Sequence, residues 1–346
     1  MMKFVLIAGV VLVVAIIVVM LRVSSLINVA KGPGDKIDKS GNSANGLLFI
    51  LFLLFSGILT IWYSITYFDV YNLPLASEHG STTDNMFWIT MAVTGFIFIL
   101  THILLFGFSY FYQYKETKKA HYFVDNDKLE IIWTVVPAIV MTLLVIGGLK
   151  AWTDITSEAP ADAEVIEIMG YQFAWGTRYP GKDGKLGKYN YRLIDAENAF
   201  GVDFSDVNAH DDFMPREIHV PKGKSVLLKI RARDVIHSVF MPHFRLKMDA
   251  VPGMPTHFWF VPTKTTAEMR EETGNPEFNY ELACTEICGR GHFSMRMLVI
   301  VDEPADYEKW KSEQASWLSK NPDYISKIPE DMQELAIINA GISVSK

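Results

Sequence analysis

One short segment of the chain carries side chains that bind soft metal ions. Its twelve residues include two thiols, an imidazole and a thioether, in the order Cys284-Thr285-Glu286-Ile287-Cys288-Gly289-Arg290-Gly291-His292-Phe293-Ser294-Met295. Thiolate and thioether ligands select copper, zinc or iron–sulfur centres, and Cys, His and Met together are typical of electron-transfer copper sites. A tetrahedral zinc site has little use for methionine. Because two thiols in one loop can bridge metals, the segment indicates two copper ions that share charge.

A disulfide between Cys284 and Cys288 is the alternative use of the two thiols. An oxidising compartment favours disulfides, but a disulfide gives no role to His292 and Met295 in the same segment. A c-type haem is excluded because the sequence contains no C-x-x-C-H. The segment therefore favours a metal centre.

A second imidazole must complete a site for two copper ions. The candidates elsewhere in the chain are His219, His237, His243 and His257. His237 follows a predicted strand at 226–233, in Asp234-Val235-Ile236-His237-Ser238, and the end of a strand is a suitable position for a ligand. We therefore favour His237.

The composition divides the chain into an apolar part and an acidic part. Its 346 residues are 50% hydrophobic and 21% charged, which is too apolar for a soluble enzyme alone. Residues 1–152 contain 9 acids and 10 bases, and residues 153–346 contain 30 acids and 22 bases. The net charge of −7 disfavours nucleic-acid binding, because neutralising phosphates needs a basic face.

Four apolar runs in the first part are long enough to cross a bilayer, which takes about 20 residues. We predict membrane-spanning helices at about 4–21, 47–68, 87–110 and 131–152. The first run can also be interpreted as a signal peptide, but no clear cleavage site follows it, which favours an uncleaved helix. Lysine and arginine are abundant in the loops after the first and third runs and absent from 69–86. This asymmetry places those two loops in the cytoplasm and the polar part outside, in a bacterial periplasm.

The polar part predicts an all-β sandwich with a short C-terminal helix. Runs at 165–169, 226–233, 256–261 and 295–301 have strand patterns and are separated by Gly and Pro breaks. Pro304 suits the first turn of a helix. The predicted organisation is a transmembrane domain over 1–152, a sandwich domain over 153–303 and a helical tail over 304–346.

Two acidic features each have two interpretations. Residues 195–217 contain seven acids. They lack the spacing of a calcium loop, so a solvated loop that attracts a basic partner is favoured. Glu130, at the cytoplasmic start of the fourth run, is either an interfacial carboxylate near a helix N-terminus or the mouth of a proton path. Its position alone favours the first interpretation.

These motifs together resemble subunit II of a haem–copper cytochrome c oxidase. The segment 284–295 matches the C-x-E-x-C-x-x-x-H-x-x-M motif of the family's binuclear copper centre, CuA, at every ligand. The family's motifs are also matched at 234–238, at 247–253 and at 129–138, where Glu130 begins the second helix of a transmembrane hairpin. The resemblance covers about residues 85–303.

The resemblance implies a cupredoxin-like sandwich on a hairpin formed by the helices at 87–110 and 131–152. In the family Cys284 and Cys288 would bridge both coppers. The full ligand set would be His237, Cys284, the carbonyl of Glu286, Cys288, His292 and Met295. The Glu286 side chain would reach a magnesium ion shared with subunit I, and Glu130 would lie at the entrance of a proton channel.

Three departures from the family pattern stand out. Phe173 occupies the position of the Trp through which the family receives electrons, so Trp175 or Tyr179 becomes an alternative point of electron input. The helices at 4–21 and 47–68 are additional, and their packing against another complex or a partner subunit is a hypothesis. Met254 stands where Arg is common.

The resemblance implies an electron-accepting oxidase subunit in a bacterial inner membrane. It would take electrons from a cytochrome c, free or within a supercomplex, and pass them to haem in subunit I for oxygen reduction coupled to proton pumping. Other oxidase subunits would complete the complex. The alternatives are the CuA subunit of a nitric oxide reductase and a non-enzymatic copper-binding protein of the envelope. The intact ligand set argues against a quinol oxidase subunit.

Overall fold

The computed structural model describes residues 2–31, 39–115 and 117–342. These residues form two compact units, one within 1–71 and 90–135 and the other within 72–89 and 136–346. Every strand of the described residues lies in the second unit. The segment 72–79 therefore belongs with the sandwich, although it precedes the boundary near 152 that the composition indicates.

Helices dominate the first part of the described chain. They are α1 (Met2–Lys31), α2 (Lys39–Thr66), α3 (Phe68–Tyr71), α4 (Gly80–Phe111) and α5 (Asp127–Ile155). Three stretches are long and apolar enough to cross a membrane: Gly41–Thr66, Gly80–Phe111 and Asp127–Ile155. In α1 the described apolar stretch is the shorter Val11–Ile27. The crossing of the bilayer by α1 therefore stays a prediction.

The long helices extend beyond the apolar runs that predict them. At the start of α5 the side chain of Asn126 accepts the backbone N–H of Leu129 at 3.1 Å and caps the helix. Asp127 and Glu130 lie in its first turn, where the helix dipole stabilises carboxylates. Hydropathy marks only the apolar middle of such a helix, so it cannot locate these polar ends.

The second unit is a sandwich of two sheets. The strands are β1 (Glu164–Tyr171), β2 (Ala174–Arg178), β3 (Ile218–Pro221), β4 (Val226–Ala232), β5 (His237–Met241), β6 (Leu246–Ala250), β7 (Thr256–Phe260), β8 (Tyr280–Cys284) and β9 (Arg296–Asp302). One sheet has the order β2-β1-β4-β7 and the other the order β3-β9-β8-β5-β6. The four predicted strands correspond to β1, β4, β7 and β9. The others have only four or five residues each, too few for a clear alternation. β7 is equally short, but its run Phe258-Trp259-Phe260 indicates a strand.

The main hydrophobic core draws on both sheets. Its fully buried side chains include Ile166, Ile168, Leu228, Ile230, Val239, Leu282 and Val299. Each such side chain contributes about 1.5–3 kcal/mol by leaving water. Cys284, Cys288 and Met295 belong to the same cluster, so the metal-binding segment is anchored in the core.

A buried network of charged side chains modifies the predicted alternation of β4. Arg231 falls on the exposed face of the pattern but is only 7% exposed, because its guanidinium donates to Glu167 at 2.5 Å. Glu167 also accepts from Arg178 at 2.5 Å, and Arg178 donates to Asp212 at 2.6 Å. Asp212 is 1% exposed. The interpretation of 195–217 as a solvated loop is therefore wrong at this residue.

The C-terminal tail, residues 303–342, has three helices where the sequence predicts one. They are α7 (Pro304–Ser312), α8 (Trp317–Lys320) and α9 (Glu330–Asn339), and they follow α6 (Thr266–Thr273) in the chain. Pro322 and Pro329 lie between α8 and α9 and explain that break. α8 starts anew at Ser316, whose side chain accepts the backbone N–H of Ser319 at 3.1 Å. α7 begins at Pro304 as predicted, and its Trp310 stacks on His219 with ring centroids 4.1 Å apart.

A second hydrophobic core joins this tail to the β2–β3 segment, residues 179–217. The Trp317 and Phe204 rings stack 5.2 Å apart, and Leu318 is fully buried in the same cluster. The backbone N–H of Trp317 donates to the carbonyl of Asp212 at 2.8 Å. The tail and the β2–β3 segment thus fold as one layer beside the sandwich.

Candidate metal centre

Two adjacent strands of the second sheet bring the metal-binding side chains together. β5 begins at His237 and β8 ends at Cys284, and the two strands are antiparallel neighbours with Val239 opposite Cys284. The remaining ligands follow in the loop between β8 and β9. That loop folds back on β8 through a hydrogen bond from the Cys284 N–H to the Met295 carbonyl at 3.1 Å.

The sulfur and imidazole atoms converge on one small volume. The Sγ atoms of Cys284 and Cys288 are 4.0 Å apart. Nδ1 of His237 lies 3.9 Å from the Cys284 sulfur, and Nδ1 of His292 lies 3.7 Å from the Cys288 sulfur. The Met295 sulfur is 3.9 Å from that of Cys288. Each cysteine therefore has a histidine on its own side.

The sixth predicted ligand is also in place. The carbonyl oxygen of Glu286 accepts from the Cys284 thiol at 3.3 Å. The side chain of Glu286 itself belongs to an exposed residue. The main chain of this residue thus faces the cluster, and its carboxylate remains available on the surface.

The donor set fits copper. The two cysteines are free thiols 4.0 Å apart, so both sulfurs would be available to hold metal. Soft sulfur with imidazole suits copper.

The same cluster is the one group of three metal-binding side chains found among the described residues: His237, Cys284 and Cys288. The acidic segment 195–217 contributes no such group within the described chain, and a calcium site there has no support. Of the other histidine candidates, His219 bonds Asp302 at 2.6 Å, His243 bonds the Pro74 carbonyl at 2.9 Å, and His257 is exposed.

Asp234 holds the His237 ring from behind. Its Oδ1 lies 2.9 Å from Nε2 of His237, so that Nδ1 points to Cys284. Its Oδ2 accepts the backbone N–H of Gln172 at 2.8 Å. Burial alone would raise the pKa of Asp234, but the hydrogen bonds from Gln172, His237 and Val235 outweigh it and keep that pKa below its usual value. The carboxylate is therefore ionised at neutral pH.

Gln172 connects the β1–β2 turn to the metal-binding segment. Its side-chain amide donates to the carbonyl of Cys288 at 2.5 Å. Sequence patterns do not point to Gln172 or to the bonding role of Asp234, although Asp234 lies inside the matched motif 234–238. Only the fold brings these two distant motifs into contact, and the sequence alone carries no signal of that contact.

The pKa of Cys288 lies above its usual value. Burial, followed by the neighbouring thiol of Cys284, raises it to about 11. Without metal, Cys288 is therefore protonated at neutral pH. Binding of a metal releases this proton.

The aromatic residues near the site differ in exposure. Trp175 is 4% exposed and its ring packs edge-on against His237, with centroids 5.8 Å apart. Tyr179 is fully buried. Phe173 is 38% exposed and lies against Gly289 and Gly291 of the metal-binding segment. Neither Trp175 nor Tyr179 reaches the surface. Burial therefore argues against either residue as the replacement for the missing Trp in surface contact with an electron donor.

Glu130 lies far along the chain from these residues. It is exposed in the first turn of α5, at the end of a helix capable of crossing a membrane. Its role in a proton path stays a prediction.

A β-sandwich with a cluster of cysteine, histidine and methionine, attached to apolar helices, defines a membrane-anchored electron-transfer domain. Sequence comparison gives the family. Residues 60–151 match "Cytochrome C oxidase subunit II, transmembrane domain", and residues 164–302 match "Cytochrome C oxidase subunit II, periplasmic domain". The chain belongs to the cytochrome c oxidase subunit II family.

Individual relatives agree with the family match. The chain is 35% identical over 246 residues to the alternative cytochrome c oxidase subunit 2 of Bradyrhizobium diazoefficiens, covering 70% of this chain and 84% of the relative. It is 29% identical to cytochrome c oxidase subunit 2 of Thermostichus vulcanus, covering 68% and 76%. Among solved structures, the periplasmic domain of subunit II of the Bradyrhizobium japonicum oxidase is 25% identical, with a TM-score of 0.31, and covers 45% of this chain and 95% of that domain.

Family membership confirms the predicted class and function. The chain has apolar N-terminal helices, a cupredoxin-like sandwich and C-terminal helices. It is the electron-accepting subunit of a haem–copper oxidase, an oxidoreductase complex in which subunit I is its partner. It is a membrane protein with a periplasmic domain that belongs to a copper-binding family.

Proposed function

We propose that this chain holds a binuclear CuA centre and conducts electrons from a cytochrome c to subunit I. The observation that carries the proposal is the 4.0 Å separation of the two free thiols, with one histidine beside each. The proposed ligands are His237, Cys284, the carbonyl of Glu286, Cys288, His292 and Met295.

When bound, the copper pair supplies a site that accepts and releases one electron at a time. The chain's own residues prepare that site. The core around Cys284, Cys288 and Met295 excludes water, which limits solvent reorganisation. Asp234 fixes the His237 imidazole through Nε2, and an oriented imidazole binds metal more firmly.

We further propose that the donor contacts the chain at Phe173. This residue is the exposed aromatic side chain against the metal-binding segment, and Gln172 beside it bonds the carbonyl of Cys288. Trp175, buried against His237, would then position that ligand. Phe293, which is 81% exposed and follows the ligand His292, offers a further apolar contact.

Two more sites follow from the family position of the residues. The exposed carboxylate of Glu286 would bind magnesium at the interface with subunit I. Glu130 would admit protons at the cytoplasmic start of α5, where its exposure leaves it open to water. Both roles depend on a partner subunit, so they are tested in the assembled complex.

The proposed location is the inner membrane of a bacterium, with the sandwich in the periplasm. The basic residues that follow the first and third apolar runs support this orientation: Arg22, Lys31, Lys36 and Lys39, and then Lys115, Lys118, Lys119 and Lys128. The additional helices α1 and α2 expose apolar side chains along their described faces, which suits lipid or another membrane subunit. We propose contact with another complex or subunit of the respiratory chain for them.

Purification of the complex from its native membrane tests the function. We expect haem–copper subunit I to copurify, oxygen consumption with reduced cytochrome c, and near-infrared absorption of a copper pair. Cys284→Ser should abolish that absorption and the oxidation of cytochrome c, while haem in subunit I remains. Nitric oxide reduction without oxygen consumption would indicate the nitric oxide reductase, and copper without any haem partner would indicate a storage protein. Either result would refute the oxidase.

A further inference from the structure

The surface around Phe173 carries positive charge. Positions for a β-carbon on Gly289 and Gly291 fall 2.9 Å and 2.5 Å from the Phe173 ring. Arg290 lies between these two glycines and is exposed. Its backbone therefore borders the aromatic ring, and its side chain is open to solvent.

A second arginine borders the same turn. The backbone N–H of Arg233 donates to the Gly170 carbonyl at 2.9 Å, and its guanidinium lies 4.6 Å from the centroid of the Tyr171 ring. Tyr171 and Arg233 thus flank Phe173 on the side of β1. Within the described part of the chain, neither Arg233 nor Arg290 has a carboxylate partner within ion-pair distance.

The carboxylate of Asp234, which contacts the turn that carries Phe173, does not neutralise the charge of both arginines. Asp234 accepts from the backbone N–H groups of Gln172 and Val235 and bonds His237. Both of its oxygens are therefore directed at groups of the chain itself. The other exposed carboxylate of the segment, Glu286, is assigned above to the interface with subunit I. Two exposed arginines and the one negative charge of Asp234 then leave an excess of positive charge beside an exposed aromatic ring.

We infer that the Phe173 surface binds an electron donor whose own contact face is acidic. The inference rests on the proposed function, since it names the class of donor for that site. Complementary charges at the rim of an interface raise the rate of association, and like charges lower it. An apolar centre with a charged rim is also the usual composition of a protein interface. The donor is thus opposite in charge to the basic partner that the acidic segment 195–217 would attract.

The test compares two charge forms of one donor on the purified oxidase complex. One form is a basic cytochrome c, and the other is the same cytochrome with its lysines maleylated, so that fold and haem are shared. Stopped-flow reduction of the copper centre gives the second-order rate for each form at several ionic strengths. We expect the maleylated form to react faster at low salt and to slow as salt increases, because screening weakens attraction.

Charge substitutions locate the effect. Arg290→Glu should lower the rate with the maleylated donor about tenfold and raise the rate with the basic donor. Arg290→Gln should give about half of that change on a logarithmic scale. The steady-state KM should change while kcat stays constant. Lys309→Glu is the control, because this exposed lysine lies in α7, which packs on β3 at the edge of the sheet away from β5.

Three results would overturn the inference. The first is that the basic form of the donor reduces copper faster than the maleylated form, and that Arg290→Glu changes neither rate. The second is an equal effect of Arg290→Glu and Lys309→Glu, which would indicate a field spread over the whole chain. The third is loss of subunit I from the Arg290→Glu complex, which would assign this surface to assembly. A wild-type complex without the copper absorption would instead refute the proposed function, so the two failures are distinguishable.

Discussion

The ring of Phe173 occupies the space where a side chain at position 291 would begin. A β-carbon on Gly291 would lie 2.5 Å from the ring. The backbone at Gly291 has φ of −92°, which any residue adopts, so the requirement for glycine comes from the side chain of Phe173, both its ring and its β-carbon. The turn that carries Phe173 and the metal-binding segment are therefore fitted to each other.

Gly291→Ala should displace Phe173 without removing copper. We expect a second-order rate of reduction by the donor several-fold lower than in the wild type, with an unchanged near-infrared spectrum, in stopped-flow measurements on the complex. In the Phe173→Ala background the same substitution should have a smaller further effect, because the ring contacts are gone and only the β-carbon of residue 173, at 2.8 Å, remains. Equal effects of Gly291→Ala in both backgrounds would contradict the fit.

Asp234→Ala should loosen the imidazole of His237. The ring loses its bond to Nε2, and loss of such a partner typically lowers metal affinity about 10–100-fold. Copper titration, with electron paramagnetic resonance of the bound centre, measures both affinity and ligand geometry. Glu281→Ala, on β8 but in an exposed pair with Arg296, is the matched control and should leave both measurements unchanged.

Phe173 and Trp175 should respond differently to substitution. Phe173→Leu should slow reduction by the donor and leave stability unchanged, because the ring is partly exposed. Trp175→Ala should lower the free energy of unfolding by about 3–5 kcal/mol, the cost of removing a buried aromatic ring, and should alter the copper spectrum through His237. If Trp175→Ala slows the donor more than Phe173→Leu while the spectrum is preserved, electrons enter through Trp175 instead.

Leu318→Ala should weaken the contact between the tail and the β2–β3 segment. Leu318 is fully buried in the second core, and removing such a side chain costs about 2–5 kcal/mol. Limited proteolysis should then cleave the tail earlier than in the wild type, while copper absorption is retained. Leu335→Ala is the control, since Leu335 is 39% exposed on α9. Loss of copper from the Leu318 variant would contradict the independence of the two cores.

The carboxyl group of Asp212 should make stability depend on pH. Burial raises its pKa to about 7, against the opposing effect of Arg178. A carboxyl group whose pKa is raised on folding stabilises the folded state fully when the pH is below its pKa in the unfolded chain, near 4. This stabilisation is lost as the pH rises to the folded pKa of about 7. The free energy of unfolding of the wild type, relative to Asp212→Asn, should therefore fall between pH 5 and pH 7, by at most about 1.4 kcal/mol per pH unit.

Urea unfolding of the detergent-solubilised chain at both pH values measures this difference. A wild-type advantage that grows with pH would show that the ion pair with Arg178 dominates and that the carboxyl group stays ionised. Asp195→Asn, at an exposed position of the same segment, is the control and should show no such trend over this pH range.

The sequence predicts the metal centre better than its surroundings. Two cysteines, a histidine and a methionine within twelve residues are typical of a metal site and of few other structures, so the proposed ligands in 284–295 can be recognised from the sequence. The hydrogen bond of Gln172 to Cys288 joins residues that are distant in the chain. Single polar residues such as Gln172 and Asp234 form no sequence pattern from which their hydrogen-bond partners could be predicted. The burial of Asp212 cannot be predicted from the sequence either, because only the fold brings Arg178 into hydrogen-bond contact with it.

The same reasoning explains what hydropathy and periodicity could predict of the fold. A long strand such as β4 alternates over enough residues to be recognised. The five residues of β5, which begins with His237, have neither a clear alternation nor the aromatic run of β7. In the tail, Pro322 and Pro329 separate α8 from α9, whereas no proline marks the break between α7 and α8.

The second core has a consequence for the order of biogenesis. Phe204 precedes Trp317, its stacking partner, in the chain. A chain that emerges from its N-terminus therefore exposes Phe204 before Trp317 is available to cover it. A chain terminated near residue 303 would keep all the proposed copper ligands. It would nevertheless expose the apolar side chains of the second core to periplasmic proteases.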